Sequence, residues 1–314
     1  MTRRDPQSGF TLTEIAIVML VIGLVLVGAL GPVNRLFQIS QTNSNQERLD
    51  AAREALLSFG AINGRLPCPD RTGDGVEDRN SNGATPTIGC AGGINEGFLP
   101  WVTLGVQQTD YWGTRFRYRV SAEFTRSVND PNWICGSTAG FNLTVPPAPA
   151  SAATALAGCT PGGLPAGCTA TTSNPNSCLF EISDTGDIPV RDGQAGRPGS
   201  VYLMNSTVVP ASGAVAVVLS HGPNRAGGTA QDGTVYPVPV GGSDEALNGP
   251  ALGAIAAGAR LAANPFIVRP PLDNTPTGCS DNGGANLCYF DDQLVFIGAN
   301  TLISRMIQSG LRLR

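Results

Sequence analysis

Polar and apolar positions divide the chain into four stretches. Residues 1–9 are polar and carry Arg3 and Arg4. An apolar run opens at Phe10 and continues to Leu30 with Glu14 as its one charge. Ile15 to Leu30 alone makes about 24 Å of helix, and counted from Phe10 the run is long enough to cross a hydrocarbon layer of about 30 Å. Two arginines ahead of such a segment place the leader in the cytoplasm and the rest of the chain outside. After Pro32 the apolar positions narrow to a stripe of Leu49, Ala52, Leu56 and Phe59, spaced three, four and three apart, with Glu47, Arg48, Asp50, Arg53 and Glu54 off it. That period predicts an amphipathic helix over 32–60 whose stripe packs on a sheet. Ser44 followed by Glu47 reads as a capping box at which the helix restarts after the polar stretch 40–45, and Gly60 and Gly64 end it.

From 61 to 314 the pattern is that of short strands and long loops. Phe116, Tyr118 and Val120 alternate with Arg115, Arg117 and Arg119, which predicts a half-buried strand with an arginine face. Val215 to Leu219 reads as a buried strand ending in Ser220-His-Gly-Pro-Asn224, Tyr289 to Ile297 as a last strand, and Thr301 to Ser309 as a short helix. Residues 146–177 are rich in Pro, Ala, Thr, Ser and Gly without a charged side chain, which predicts an exposed insertion. Residues 238–263 are rich in small residues and show no usable period. The fold class this implies is α+β.

Composition changes the picture in several ways. A chain of 314 residues can build its own core, so disulfides are not forced by size. Gly 40 and Pro 24 are an excess that agrees with many turns, and 14% charged residues exclude a charged disordered tail. The net charge of −4 argues against coating nucleic acid, which needs a basic surface. All cations are arginine, which we attribute to codon bias. The eight cysteines, Cys68, Cys90, Cys135, Cys159, Cys168, Cys178, Cys279 and Cys288, contain no Cys-x-x-Cys pair, so zinc-ribbon and thioredoxin-like readings lose their spacing. Four disulfides in an oxidising compartment are the better reading, with scattered buried thiols as the alternative. Pairing sequential neighbours closes Cys68–Cys90, Cys168–Cys178 and Cys279–Cys288 and leaves Cys135–Cys159.

The junction Gly9-Phe10-Thr11-Leu12-Thr13-Glu14 resembles the type IV pilin and type II secretion pseudopilin family. Gly9, Phe10 and Glu14 match residue by residue, Gly23 stands where the family carries a glycine, and Pro32 lies one residue later than its helix-kinking proline. The resemblance implies that a membrane peptidase cuts after Gly9, that Phe10 becomes N-methylated, and that the apolar helix stays attached as a filament spine. It also implies that Glu14 neutralises the new amino terminus of a neighbouring subunit. Physics agrees, because a carboxylate inside an apolar membrane segment costs several kcal/mol without a partner. The bland rival is a single-pass anchor with Glu14 at the interface. Leu66-Pro67-Cys68-Pro69-Asp70, Asp110-x-Trp112-Gly113 and the Ser-x-Gly-Pro turn resemble features of pseudopilin heads. The whole then implies a cleaved leader 1–9, a membrane and filament-core helix 10–31, a stalk helix 32–60, and a periplasmic head 61–314 of disulfide-bonded loops on an antiparallel sheet.

Four sets of residues remain as candidate chemistry. Asp70, Thr72, Asp74, Val76 and Asp78, with Gly75 at the sixth place, have calcium-loop spacing, although Ser81 replaces the bidentate glutamate at the twelfth; a solvated turn is the alternative. Asp232 with Asp291 and Asp292 falls where major pseudopilins bind calcium, at loose spacing. His221 is the sole histidine, and no Gly-x-Ser-x-Gly elbow, Walker loop or dinucleotide fingerprint accompanies it, so we expect no enzyme. The arginines at 115, 117 and 119 are either solvated charges or a grip for an acidic partner such as DNA.

The resulting expectation is a structural subunit, minor by the size of its head, of a type IV pilus or type II secretion pseudopilus. Its partners are other pilin or pseudopilin subunits, the prepilin peptidase, the inner-membrane assembly platform and the membrane, with nucleic acid disfavoured and calcium as the one candidate ion. Rivals are a tip adhesin or DNA-uptake pilin, and a periplasmic hydrolase on a pilin-type anchor.

Overall fold

The computed structural model describes residues 12–79, 90–91, 94–125, 186–205, 213–239, 243–249, 265–272, 277–283 and 286–309, with the side chains at 26–36 and 122–123 excepted. Gly9 and Phe10, Ser81, the cysteines at 135, 159, 168 and 178, and the insertion 146–177 lie outside them. Two units make up the chain, Met1–Gln46 and Glu47–Arg314.

The first unit is the opening part of helix α1, which runs Leu12–Asn63. Its backbone passes through Pro32 and the polar stretch 40–45 as helix, so it does not restart at Ser44. One polar side chain of that stretch finds an acceptor in the helix itself, the Thr42 hydroxyl donating to the carbonyl of Gln38 at 2.9 Å.

The second unit, the head, is a mixed α+β structure built on the last turns of α1. Leu49, Ala52, Leu56 and Leu57 are buried and share one core with Phe116, Tyr118, Val218 and Ile297. Gly60 does not end the helix. A Cβ there would come within 2.8 Å of Leu302, so its missing side chain lets the C-terminal helix pack close, while Gly64, at φ +65°, supplies the left-handed stop.

Strands β1 (Glu96–Phe98), β2 (Arg117–Val120), β5 (Ala214–Ser220) and β7 (Gln293–Gly298) form an antiparallel sheet in the order β1-β2-β5-β7. Helix α2 (Trp101–Leu104) follows β1 and helix α4 (Ala299–Gln308) follows β7. A smaller sheet, β4-β3-β6, joins β3 (Val190–Arg191) to β4 (Tyr202–Met204) antiparallel and to β6 (Phe266–Ile267) parallel. Ile188, Val190 and Phe266 form a second core with Val217, Leu219 and Leu294. β5 therefore has apolar neighbours on both faces, and all seven of its residues are buried.

The arginine face is where the expectation fails. Arg117 stands opposite Leu219 and Arg119 opposite Val217, so both lie on the face that the second core covers. Each side chain is 2% exposed, and both converge on Glu96: Arg117 Nε at 2.6 Å from Oε1 and Arg119 Nη1 at 3.4 Å from Oε2. A basic grip for DNA at these two positions is thereby removed.

Disulfides join Cys68 to Cys90 and Cys279 to Cys288, as sequential pairing predicts. Asp110 organises the Asp-Tyr-Trp-Gly turn: Oδ1 accepts the amides of Trp112 and Thr114 at 3.0 and 2.8 Å, Oδ2 accepts the Ser220 hydroxyl at 2.8 Å, and its carbonyl accepts Arg48 Nη1 of α1 at 2.7 Å. Burial pushes the Asp110 carboxyl up to about 6 against these hydrogen bonds.

Glu96→Ala leaves two buried guanidiniums without that carboxylate and should cost about 3–5 kcal/mol in urea unfolding; a loss below about 1 kcal/mol would contradict the clamp. Between about pH 4 and pH 6 folded Asp110 keeps a proton that the unfolded chain has released, so the wild type loses stability as pH rises. Asp110→Asn should remove that slope. Relative to wild type it should gain roughly 1–3 kcal/mol between pH 4 and pH 7 in urea titrations, and parallel pH profiles would refute the assignment.

Candidate functional site

Two places in the described residues call for a function. The first is the amino-terminal part of α1. Every described side chain over 12–25 is exposed, among them Leu12, Ile17, Val18, Leu20 and Leu24, and Glu14 sits in the first turn, where a helix dipole favours a carboxylate. A helix apolar on all sides needs cover from lipid or from other apolar helices. No helix among the described residues is long and apolar enough to cross a membrane. The spanning helix read over 10–31 is therefore not supported among the described residues.

The second place is a cluster of buried carboxylates in the head. Glu245, Asp291 and Asp292 each offer an oxygen within 4.8 Å of the others, and among the described residues no other three acidic, cysteine or histidine groups converge so. Glu245 comes from the short helix α3 (Asp244–Asn248), capped by Ser243, whose hydroxyl accepts the amide of Ala246 at 3.2 Å. Asp291 and Asp292 come from the entry to β7. The Ser220–Asn224 turn closes the cluster: the Asn224 side-chain amide donates to both Glu245 oxygens at 3.1 Å, and its backbone amide to Asp291 Oδ2 at 2.9 Å. Gly222, at φ +63°, makes the turn possible, because a Cβ there would collide with the carbonyl of Asp291. Tyr289 donates its hydroxyl to Asp291 Oδ2 at 2.7 Å, and Asn248 donates to Asp292 Oδ2 at 2.9 Å.

The electrostatics of this cluster are unfavourable by themselves. Burial, then the hydrogen bond with Asp291 and its charge, raises the Glu245 carboxyl far above the usual carboxylate range. Asp292 is raised as well, by burial and then by the charge of Glu245. Its side chain is 1% exposed, and its Oδ1 accepts no hydrogen bond among the described residues, with His221 Nδ1 at 3.8 Å. Three convergent carboxylates, one with a buried oxygen that accepts no hydrogen bond among the described residues, could hold a hard divalent cation.

Of the residues singled out by spacing, Asp291 and Asp292 do meet, but with Glu245 in place of Asp232. Asp232 is exposed, in a turn where its Oδ1 accepts the amide of Thr234. Glu245 was hidden in the aperiodic 238–263 stretch. A Ser cap followed by two acids was the available signal.

In the Asp70 loop the carboxylates serve the loop itself. Asp70 accepts the amides of Gly73 at 2.6 Å and Gly75 at 2.8 Å and the Thr72 hydroxyl at 3.3 Å; Asp74 accepts that of Val76 at 2.8 Å; Asp78 accepts those of Arg71 and Thr72 at 2.7 and 3.2 Å. These three carboxylates do not converge as those of the cluster do. His221 is buried, 2% exposed, with its Nδ1 3.8 Å from Asp292 Oδ1.

Residues 4–30 match the family model of the prokaryotic N-terminal methylation motif, the prepilin-type motif of type IV pilins and pseudopilins. No curated protein and no solved structure matches the chain.

Calcium in large excess over its dissociation constant should stabilise the head by about 2–3 kcal/mol, read as a melting temperature roughly 5–10 °C above that in chelator. Asp292→Asn should abolish the increment and Asp74→Ala should keep it. An increment lost with Asp74→Ala but kept with Asp292→Asn would move the ion to the Asp70 loop, and none in the wild type would remove calcium from both.

Proposed function

We propose that this chain is a pilin-like structural subunit, made as a precursor cleaved after Gly9 and N-methylated at Phe10. It acts by polymerising. The observation that carries this reading is the prepilin-type motif at 4–30, which marks a pilin- or pseudopilin-like precursor and implies processing by a prepilin peptidase and assembly with other such subunits. The helix that follows supports it, because an unbroken α1 carries exposed apolar side chains over 12–25 and a buried stripe over 49–57.

The mechanism is one of successive burial. Before cleavage the apolar segment sits in the inner membrane with Arg3 and Arg4 on the cytoplasmic side and the head in the periplasm. After cleavage the new ammonium of Phe10 is stabilised by the Glu14 carboxylate of a neighbouring subunit as both leave lipid for the filament interior. Helix-to-helix contact then replaces helix-to-lipid contact. The large head favours a minor or tip position in a type IV pilus or a type II secretion pseudopilus, and the subunit does no chemistry itself. The burial of Arg117 and Arg119 tells against a DNA-uptake role at that face.

Replacing Gly9 with tryptophan should leave the full precursor in the membrane, because the small residue admits the scissile bond to the peptidase. Glu14→Ala should be cleaved and membrane-inserted, yet absent from sheared filaments. Each missing pair leaves a buried charge worth about 3–5 kcal/mol, repeated at every subunit contact. Normal incorporation of Glu14→Ala would refute the pairing, and normal cleavage of Gly9→Trp would refute the processing site.

A further inference from the structure

The five-residue helix α3 that presents Glu245 is too short to hold its own shape, so its orientation is imposed from outside. Several groups hold it: Asn224 and the Asp291 amide reach Glu245, Asn248 bonds Ile267 and Asp292, and Asp281 holds its first residue. Asp281 is fully buried, and its Oδ2 accepts the amide of Asp244, the first residue of α3, at 2.7 Å. Its Oδ1 accepts the amide of Cys288 at 2.9 Å. Arg269 completes the junction, with Nε 2.7 Å from Asp244 Oδ2 and Nη2 donating to the Cys288 carbonyl at 2.9 Å. Asp281 thus belongs to the loop that Cys279–Cys288 closes, and it receives amides from both the far end of that loop and the start of α3. Around it the loop is exposed at Gly278, Asn282 and Gly283, and both glycines have positive φ.

The same disulfide stands at the head of the other ligands. Cys288 lies three residues before Asp291, and the cross-link joins the start of the Asp281 loop to the strand entry carrying Asp291 and Asp292. Both sources of cluster carboxylates, α3 and the entry to β7, therefore meet at one covalent link.

We propose that the Cys279–Cys288 disulfide sets the divalent-cation affinity of the Glu245–Asp291–Asp292 cluster, with Asp281 as the positioning residue between them. The inference rests on the reading of that cluster as a cation site. With the link in place Glu245 is held against Asp291 and Asp292 before the ion arrives, so binding need not order α3. Without the link the loop loosens, Asp281 leaves the Asp244 amide, and part of the binding free energy is spent on ordering Glu245. The cluster then binds its ion more weakly in the chain without the cross-link.

The probe is terbium, a calcium surrogate whose emission is excited through Tyr289, a residue hydrogen-bonded to Asp291. It is titrated into the full chain in detergent micelles at a temperature well below melting. Wild type should bind, and Glu245→Gln should lose binding. The double variant Cys279→Ala/Cys288→Ala, which retains Cys68–Cys90, should bind at least tenfold more weakly, as should Asp281→Asn with the disulfide intact. Melting in chelator separates the roles, since a purely structural loss lowers that melting temperature without moving the terbium midpoint. If the wild type binds but both variants stay within twofold of it, the coupling is overturned and the cation site stands. No binding by the wild type overturns the cation site itself. Should the double variant fail to fold, Asp281→Asn decides alone.

Discussion

Everything in the head hangs on the burial of one helical stripe. Leu49, Ala52, Leu56 and Leu57 lose their water against the four-stranded sheet, at about 1.5–3 kcal/mol for each large side chain, and the helix that supplies them is the one whose beginning carries the methylation motif. A single element thereby joins two incompatible demands. Over 12–25 its apolar side chains are exposed and call for cover from lipid or other helices. Over 47–63 it must be apolar on one side only, because the other side meets water. Gly60 and Leu302 show how closely the second demand is met, since a methyl group at position 60 would come within 2.8 Å of the Leu302 side chain, which would have to shift.

Legibility followed the range of the interaction. The apolar run, the stripe, the buried β5 and the neighbouring cysteine pairs depend on residues close in sequence, and periodicity or spacing exposes them. What could not be read were arrangements set by a second layer. Arg115, Arg117 and Arg119 alternate as a solvated edge would. Nothing local announces that β3 and β6 cover that face and that Glu96, from another strand, takes both guanidiniums. The same holds for the acidic cluster, where Asp291 and Asp292 were visible as a pair but their third member came from 46 residues away, on a helix with no periodic signal. Gly60 misled for a related reason: glycine serves equally as a stop and as a place for close approach, and only the partner helix decides which.

The two candidate sites share a physical logic. Glu14 at the start of α1 and Glu245 with its neighbours in the head are carboxylates in or near apolar surroundings, where a negative charge is expensive unless a cation answers it. In the filament reading the cation is the amino group made by proteolysis. In the proposed reading of the head it is a divalent ion at the Glu245–Asp291–Asp292 cluster. In both readings the answering cation comes from outside the acid's own segment.

The claim on which the account stands is that the chain is matured at its amino terminus without losing its apolar helix. Mass spectrometry of the protein recovered from cells, intact and as its amino-terminal peptide, tests this directly. The account predicts a mature chain beginning at Phe10, carrying one added methyl group on its terminal nitrogen and retaining the whole helix. A chain that begins at Met1, or at any residue beyond the apolar run, would contradict it.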